Sequence, residues 1–233
     1  MLSACLMTLV VVACAAAPPP TPTSNPIDGQ AAALGINLRS DAWPADIVPG
    51  VVVFARVEEG VDLTEAYELY ESTYAYDGHL YLMNAEPGTY VAVATVNTKW
   101  VELGTTNEAG EEARTKKTRL CYLSRDLIEQ TRVTVRPGEF AFMGRIVGDQ
   151  SGRFGDGDDC QRHFMTLMEG EEDRSGFMKA LSGESSGRID LKELDKSPAA
   201  RREFLTETRG YFATTAWVAL IDAELAQIPV DGP

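Results

Sequence analysis

A series of short apolar runs separated by turn signals is the feature that most restricts how this chain can fold. The runs are rich in β-branched and aromatic residues and lie at Val51–Val57, Leu80–Met83, Tyr90–Val96, Leu120–Leu123, Val133–Val135 and Phe140–Val147. Residue pairs typical of turns separate them, at Pro49-Gly50, Asp77-Gly78, Pro87-Gly88 and Pro137-Gly138. Short strands at this spacing predict an antiparallel β-sandwich over residues 46–150.

Two of these turns share a longer pattern, in which Pro-Gly is followed by one residue and then by an aromatic residue that opens a strand. The segments are Pro87-Gly88-Thr89-Tyr90 and Pro137-Gly138-Glu139-Phe140. In this pattern the region resembles the prealbumin-like, carboxypeptidase-regulatory type of β-sandwich that occurs in many bacterial lipoproteins. The resemblance implies a sandwich fold without enzyme activity.

The C-terminal part, residues 151–233, is predicted to be helical. Ser197-Pro198 is typical of a helix start, with Ser as the N-cap and Pro in the first position. The pattern from Phe204 to Leu225 is helical, and between Tyr211 and Ile221 it is apolar on nearly all sides, which is typical of a buried helix. Because the strand from Tyr90 is apolar on both faces, we expect this helix to cover its second face. The alternative is an interface with a partner protein.

The first residues of the chain are apolar and carry no charge. The run from Leu6 to Ala13 is too short to span a bilayer, which takes about 20 apolar residues, and is typical of a secretory signal. Its end, Val11-Val12-Ala13-Cys14, resembles the lipobox of bacterial lipoproteins. In that family a peptidase cuts before the cysteine, which is then diacylated. The resemblance implies a signal peptide at 1–13 and a lipid on Cys14; the alternative is a plain signal peptide cut near Ala17.

The segment after Cys14 is predicted to be an extended tether over residues 14–45. Ala15–Gln30 contains five prolines, and Pro-rich linkers are semi-rigid and extended. By the same resemblance, Ala15 directly after the cysteine implies the outer membrane. We therefore expect a protein of the cell envelope that is held to the membrane by its N-terminal lipid and faces the periplasm or the cell surface.

Charge restricts the partners of this chain. The formal net charge is −14 at pH 7, so nucleic acid and anionic lipid headgroups repel the chain as a whole. The sequence therefore predicts no nucleic-acid partner. Arg114-Thr-Lys-Lys-Thr-Arg119 is a local basic exception, which we interpret as a solvated hairpin loop.

Two cysteines remain after Cys5 is removed with the signal peptide and Cys14 is acylated. An even pair in an oxidising compartment predicts a disulfide between Cys121 and Cys160. The alternative is two buried thiols, because Cys121 lies in the apolar run Leu120–Leu123.

One segment matches a catalytic motif, but the residues around it do not fit the fold that the motif requires. Gly183–Gly187 matches the G-x-S-x-G nucleophile elbow, but no buried strand is predicted before it. In the fold that uses this elbow the histidine follows the serine, whereas His79 and His163 both precede it. His79 itself is predicted to face solvent in an alternating strand. The sequence thus predicts no enzyme and no catalytic residue.

Two segments contain residues of the kinds that bind metal ions. Ser182–Glu193 follows the spacing of a calcium loop, but Ser182 stands where that loop requires Asp. Asp156–His163 gathers carboxylates, a thiol and an imidazole, yet only Asp159 and His163 have helical spacing, and zinc takes three or four ligands. We interpret the first as a surface loop and the second as a capped helix start, and expect no metal and no cofactor.

Tyrosines between Leu63 and Tyr74 are the candidate ligand face. Tyr67, Tyr70 and Tyr74 are spaced as on a helix, although part of the segment could be an edge strand. These tyrosines either fill the core or bind a small ligand or glycan. The function expected from the sequence is a non-catalytic interaction or structural module with an envelope protein as partner, and the alternative is a small-ligand or glycan-binding module.

Overall fold

The computed structural model describes residues 25–27, 32–41, 49–58, 60–65, 68–106, 112–149, 163 and 186–229. Within these residues the strands are β1 Ala33–Asp41, β2 Val51–Val57, β3 Glu68–Glu71, β4 Tyr74–Tyr76, β5 His79–Met83, β6 Gly88–Thr106, β7 Glu112–Leu123, β8 Val133–Val135, β9 Phe140–Asp149 and β10 Ser186–Asp195. The helices are α1 Arg125–Gln130, α2 Pro198–Tyr211 and α3 Trp217–Gln227, and a 3-10 turn spans Leu63–Glu65.

The protein is mainly β, with helices packed on a curled, mixed sheet that forms a half-barrel. The strand order is β3-β2-β6-β7-β10-β9-β1-β5-β4, and β8 pairs with β6. Two pairings are parallel, β1 with β9 and β10 with β7. The two end strands, β3 and β4, are consecutive in the chain and are joined by Ser72 and Thr73. The sheet is therefore not the antiparallel sandwich that the sequence predicts.

The segments that change the fold class are β1 and β10, which lie outside the predicted sandwich boundaries. Strand β1 falls within residues 14–45, the expected tether, and strand β10 falls within residues 151–233, the expected helical part. Both predictions are corrected for these strands. Their residues insert in parallel beside β9 and β7, and β10 leaves β7 after Ile189 to pair with β9 from Asp190 onward. The signal peptide and Cys14 lie outside the described residues.

The main core lies within the curl of the sheet. Both alternating sets of residues from Tyr90 to Val96 in β6 are buried. Helix α1 packs on this strand, and the backbone N–H of Ala92 donates to the Thr131 hydroxyl that follows α1, at 2.8 Å. The sequence predicts the C-terminal helix in this place, but the structure places α1 there.

The C-terminal helices form a second layer on β1, β5 and β9. Helix α2 starts as predicted, with the Ser197 hydroxyl accepting the N–H of Ala200 at 3.2 Å. The single helix predicted over residues 204–225 is two helices, because a turn at residues 212–216 separates α2 from α3. Their apolar side chains pack on those of the sheet in a cluster made of Phe204, Leu205, Phe212, Trp217 and Ile221 with Ala33, Tyr81, Met83 and Phe140.

Gly35 is the residue that lets this helical layer approach the sheet closely. A Cβ atom at Gly35 would lie 2.6 Å from Cζ of Phe204 and 2.8 Å from Cδ1 of Tyr81. Both rings would have to move to make room for it. The glycine in β1 therefore fixes where α2 lies against the sheet.

Candidate functional site

The predicted tyrosine face is divided by the fold. Tyr70 is half-buried in β3 and packs edge-to-face on Tyr90, with ring centroids 5.9 Å apart. Tyr74 is buried in β4 and packs on Tyr81 and Phe212 beneath the helical layer. Tyr67 lies outside the described residues. Tyr70 packs against the main core and Tyr74 belongs to the cluster beneath the helices, so the two rings are parts of different clusters and not of one ligand face.

Tyr70 instead belongs to a polar cluster around Arg56. One guanidinium nitrogen of Arg56 donates to Glu68 at 3.3 Å and to Glu86 at 2.7 Å. The Tyr70 hydroxyl donates to the same Glu68 oxygen at 3.0 Å, and the Tyr90 hydroxyl donates to the carbonyl of Glu86 at 2.8 Å. Burial raises the pKa of Tyr90 to about 12. The cluster ties β2, β3 and β6 together and keeps both tyrosines neutral.

Two open clefts flank the loop after β2. One has a volume of about 270 Å³ and is lined by Arg56, Val57, Glu58, Val61, Asp62, Glu65 and Glu68. The other has a volume of about 440 Å³ and is lined by Gly60, Val61, Asp62, Thr89, Glu129, Arg132 and Thr134. Small-ligand sites have volumes of roughly 300–1,000 Å³ and apolar linings. These clefts are within or close to that size, but most of the residues that line each of them are charged or carry a hydroxyl.

Asp62 stands between the two clefts and is held in place by its own loop. The N–H and the hydroxyl of Thr64 donate to one oxygen of Asp62, both at 2.9 Å, and Arg125 donates to the other at 2.8 Å. These donors, the N–H of Thr64 first, lower the pKa of Asp62 to about 2. The carboxylate is thus ionised and acts as the cap of the 3-10 turn.

His79 is a buried polar residue, and the prediction that it faces solvent is wrong. Its side chain is 3 % exposed, because α2 covers the face of β5 on which it lies. Nδ1–H donates to the carbonyl of Asp77 at 3.2 Å, and Nε2 lies 3.2 Å from the amide nitrogen of Asn37 and 2.9 Å from a carboxylate oxygen of Glu207. Nε2 accepts from Asn37 when the ring is neutral and donates to Glu207 when it is protonated.

Burial decides between these two states of His79. It lowers the pKa of His79, and the attraction of the Glu207 carboxylate opposes this only in part. Glu207 is 42 % exposed, so solvent screens its charge.

The sequence signal that could have shown the burial of His79 is the helical face of α2 that carries Phe204, Glu207 and Tyr211. Phe204 and Tyr211 both pack on the His79 ring.

The long hairpin of β6 and β7 extends beyond the points where the neighbouring described strands pair with it. Val96 is the last β6 residue opposite β2, and Leu120 is the first β7 residue opposite β10. Past these points, residues 97–106 and 112–119 pair with each other, and no other described strand pairs with either of their outer edges. We call these residues the arm. At about 3.3 Å per residue, the ten β6 residues project it about 30 Å.

Pro49 explains why β2 stops accompanying β6 at this point. The N–H of Gly50 donates to the carbonyl of Val96 at 3.1 Å, which is the last bond between β6 and the described residues before β2. Pro49 has no N–H, so it cannot continue the pairing. The basic segment Arg114–Arg119 lies within β7 of the arm and is not the hairpin loop that the sequence predicts.

The N-terminal segment joins the sheet at the opposite end from the arm. The N–H of Ile27 donates to the Asn84 side chain at 3.0 Å, and the Asn84 amide donates to the carbonyl of Asn25 at 2.9 Å. Asn84 directly precedes the turn into β6, and nine residues of β6 lie between Gly88 and the start of the arm, which is about 30 Å. The two clefts lie at this N-terminal end as well, beside Thr89.

The remaining predicted site residues are placed only in part. Cys121 is fully buried in β7, and Cys160 lies outside the described residues, so the disulfide stays a prediction. Of the segment Asp156–His163, only His163 is described. Among the described residues, no group of three or more His, Cys, Asp or Glu side chains is arranged to hold a metal.

Two surface properties bear on the kind of partner. Of the large apolar side chains that the structure describes, Ile27 is the exposed one, at 59 %. The described surface therefore carries no apolar patch of the kind that marks many protein interfaces. No helix in the described ranges is long and apolar enough to cross a membrane.

Comparison of this chain with protein-family models, with curated proteins and with solved structures finds no match.

Proposed function

We propose that this chain is a lipid-anchored cell-envelope protein whose folded part is a non-catalytic interaction module, and that the arm is its binding element. The observation that carries the proposal is the position of the arm at the end of the sheet opposite Asn84, where the N-terminal segment joins. A lipid on Cys14 would hold the N-terminal end of the sheet near a membrane. The arm would then point away from that membrane.

The strand edges of the arm support an interaction role. Unpaired backbone donors and acceptors on a strand edge are a template for another chain or ligand. A two-stranded ribbon without further support is marginally stable in water, so binding would stabilise it. The polar groups beside the clefts are engaged in structural contacts, since Arg56 holds two glutamates and Asp62 caps its loop.

The test compares two positions by photo-cross-linking in cells of the source organism. A photoreactive phenylalanine replaces Val101 in the arm or Thr134, which is exposed in β8 at the N-terminal end. The proposal predicts a discrete adduct from position 101 and none from position 134. A Cys14→Ala version of the full chain should lose the adduct, because the anchor would be absent. Equal labelling at both positions, or no adduct from position 101, would contradict the proposal.

A second candidate function is the binding of a small ligand in the clefts beside Asp62. Most of the residues that line the two clefts are charged or carry a hydroxyl, and with the volumes of the clefts this favours a small polar molecule. The test is a thermal-shift screen of polar metabolites on the full chain, with Arg56→Gln as the variant. A ligand that raises the Tm of wild type, but does not raise that of Arg56→Gln above the variant's own unliganded Tm, would support this candidate.

A further inference from the structure

The larger of the two clefts is formed by three elements of the fold. One side is the cross-strand pair of Thr89 in β6 and Thr134 in β8. A second side is the C-terminal end of α1, with Glu129 in the helix and Arg132 shortly after it, and the third is the loop at residues 60–62. We call this space the Thr89 cleft.

Hydrogen bonds hold the lining of the Thr89 cleft in place without a ligand. Asp62 accepts the N–H and the hydroxyl of Thr64, both at 2.9 Å, and Arg125 at 2.8 Å, which fastens the loop to the first residue of α1. The hydroxyl oxygens of Thr89 and Thr134 lie 3.0 Å apart. A site whose groups are already ordered loses less entropy when it binds a ligand.

The charges of this lining are paired with each other. Oε2 of Glu129 accepts Nε and Nη2 of Arg132 at 3.0 and 2.8 Å, and Asp62 is paired with Arg125. An ionic ligand would have to compete with one of these pairs, so the lining favours a ligand without net charge. The smaller cleft is different, because its lining has four acidic residues and one arginine.

The same lining keeps hydrogen-bonding capacity for a ligand. Both bonds from Arg132 go to one oxygen of Glu129, so within the described contacts Oε1 of Glu129 can accept and Nη1 of Arg132 can donate. The contact between Thr89 and Thr134 uses one of their two hydroxyl hydrogens. A hydroxyl group both donates and accepts. Adjacent hydroxyls of a sugar ring therefore match this set of neighbouring donors and acceptors.

We infer that the Thr89 cleft binds a neutral mono- or disaccharide. The cleft has a volume of about 440 Å³, which is in the range of small-ligand sites, and Val61 supplies an apolar contact for the C–H groups of a sugar ring. This inference rests on the second candidate function, the binding of a small polar ligand, and assigns it to one of the two clefts. It depends neither on the lipid anchor nor on the arm.

The experiment measures the retention of sugars on a column that carries the full chain, immobilised by a C-terminal tag. The probes are glucose, N-acetylglucosamine and maltose, and the ligand controls are glucosamine and glucuronate, which are charged. The test variant is Thr89→Val/Thr134→Val, which removes both hydroxyls and keeps side chains that suit strands. The matched control is Thr214→Val, the same change at an exposed threonine in the turn between α2 and α3.

We expect at least one neutral probe to bind wild type and Thr214→Val within about twofold of each other. It should bind Thr89→Val/Thr134→Val at least about tenfold more weakly, because two hydrogen-bonding groups are lost. A rise in salt from about 50 to about 500 mM should change this binding less than about twofold, since screening acts on charged ligands. A thermal melt of each variant reports whether the fold is kept.

A second variant tests the charge balance of the cleft. Glu129→Ala leaves Arg132 without its carboxylate partner. It should bind the neutral probe at least about threefold more weakly than wild type and glucuronate more tightly than wild type does. A variant that only disturbed the end of α1 would not gain affinity for the anion.

Three results would overturn the inference: no retention of any neutral probe by wild type, equal retention by Thr89→Val/Thr134→Val, or tighter binding of a charged probe by wild type. The second candidate function can still stand if the inference fails. A ligand from the thermal-shift screen whose effect is lost in Arg56→Gln would then occupy the smaller cleft, which Arg56 lines. If neither experiment finds a ligand, both fail, and the adduct from position 101 tests the interaction role independently.

Discussion

The body of the sheet and the arm are built from the same two strands but are stabilised differently. In the body, β6 from Tyr90 to Val96 is buried on both faces and pairs with β2 along one edge, while β8 and then β7 pair with parts of the other edge. In the arm, the same strand continues with one partner, β7, and among the described strands it has no other. We therefore expect the body to supply most of the free energy of folding, because its strand has buried faces and more strand partners than the arm has among the described strands.

Helix α2 should be essential to the body. Phe204 is 1 % exposed and packs on Tyr81, His79 and Phe142. Phe204→Ala should lower the free energy of unfolding by about 3–5 kcal/mol, because it leaves a cavity between helix and sheet. Chemical denaturation measures this, with the exposed Thr206→Ala on the same helix as the control. A loss below about 1 kcal/mol would show that the helical layer is dispensable.

Glu224 should also belong to the body despite its charge. It is 5 % exposed, forms an ion pair with Arg201 and accepts the N–H of Phe140 at 3.4 Å. Removal of one partner of a buried pair costs about 3–5 kcal/mol, but Arg201 is 34 % exposed, so we expect about 2 kcal/mol for Glu224→Ala. Glu224→Gln should lose less, since it keeps an acceptor for Phe140. If both variants have the same free energy of unfolding in urea as wild type, the contacts of Glu224 do not stabilise the packing of α3 on β9.

His79 should give the body a pH dependence. Burial lowers the folded-state pKa of His79 below its ordinary value of 6.5, so the unfolded chain binds a proton that the folded chain does not. Stability should therefore be complete above pH 6.5 and decline as pH falls toward the folded-state pKa. Asp77, Glu207 and Arg39 are the charged groups around the ring.

The matched variant for that pH dependence is His79→Gln, which keeps a hydrogen-bonding side chain and does not titrate. Its unfolding free energy at pH 8 should be lower by about 1 kcal/mol, since one buried hydrogen bond is lost. Between pH 7 and pH 5 it should decline less than that of wild type. Parallel profiles for the two chains would mean that His79 does not control the acid response.

The sequence predicts those parts of the fold whose signals are local. The strands at Val51–Val57, Val133–Val135 and Phe140–Val147 and the helix start at Ser197 follow from β-branched runs, turn pairs and capping. The alternation of Leu34, Ile36 and Leu38, all buried in β1, was hidden by the Pro-rich stretch before it. The strand β10 is harder to recognise, because charged residues interrupt its apolar positions.

The surroundings of the candidate site residues were harder to predict, because they depend on contacts with residues that are distant in the sequence. Strand alternation placed His79 on an open face, and only the packing of α2 on β5 buries it. The basic segment Arg114–Arg119 resembles a solvated loop in the sequence, and only the pairing of β7 with β6 shows that it is part of a strand. Tyr70 and Tyr74 pack in different clusters because of the way the sheet curls, and no local sequence pattern encodes that curl.

The measurement that tests the division between body and arm most directly is replacement of the arm by a two-residue turn. Asn97 lies opposite Arg119 in the β6–β7 register, so residues 98–118 can be replaced by Asn-Gly, which is a favoured two-residue hairpin turn. The account predicts a free energy of unfolding within about 0.5–1 kcal/mol of wild type. Global unfolding of this variant would contradict it.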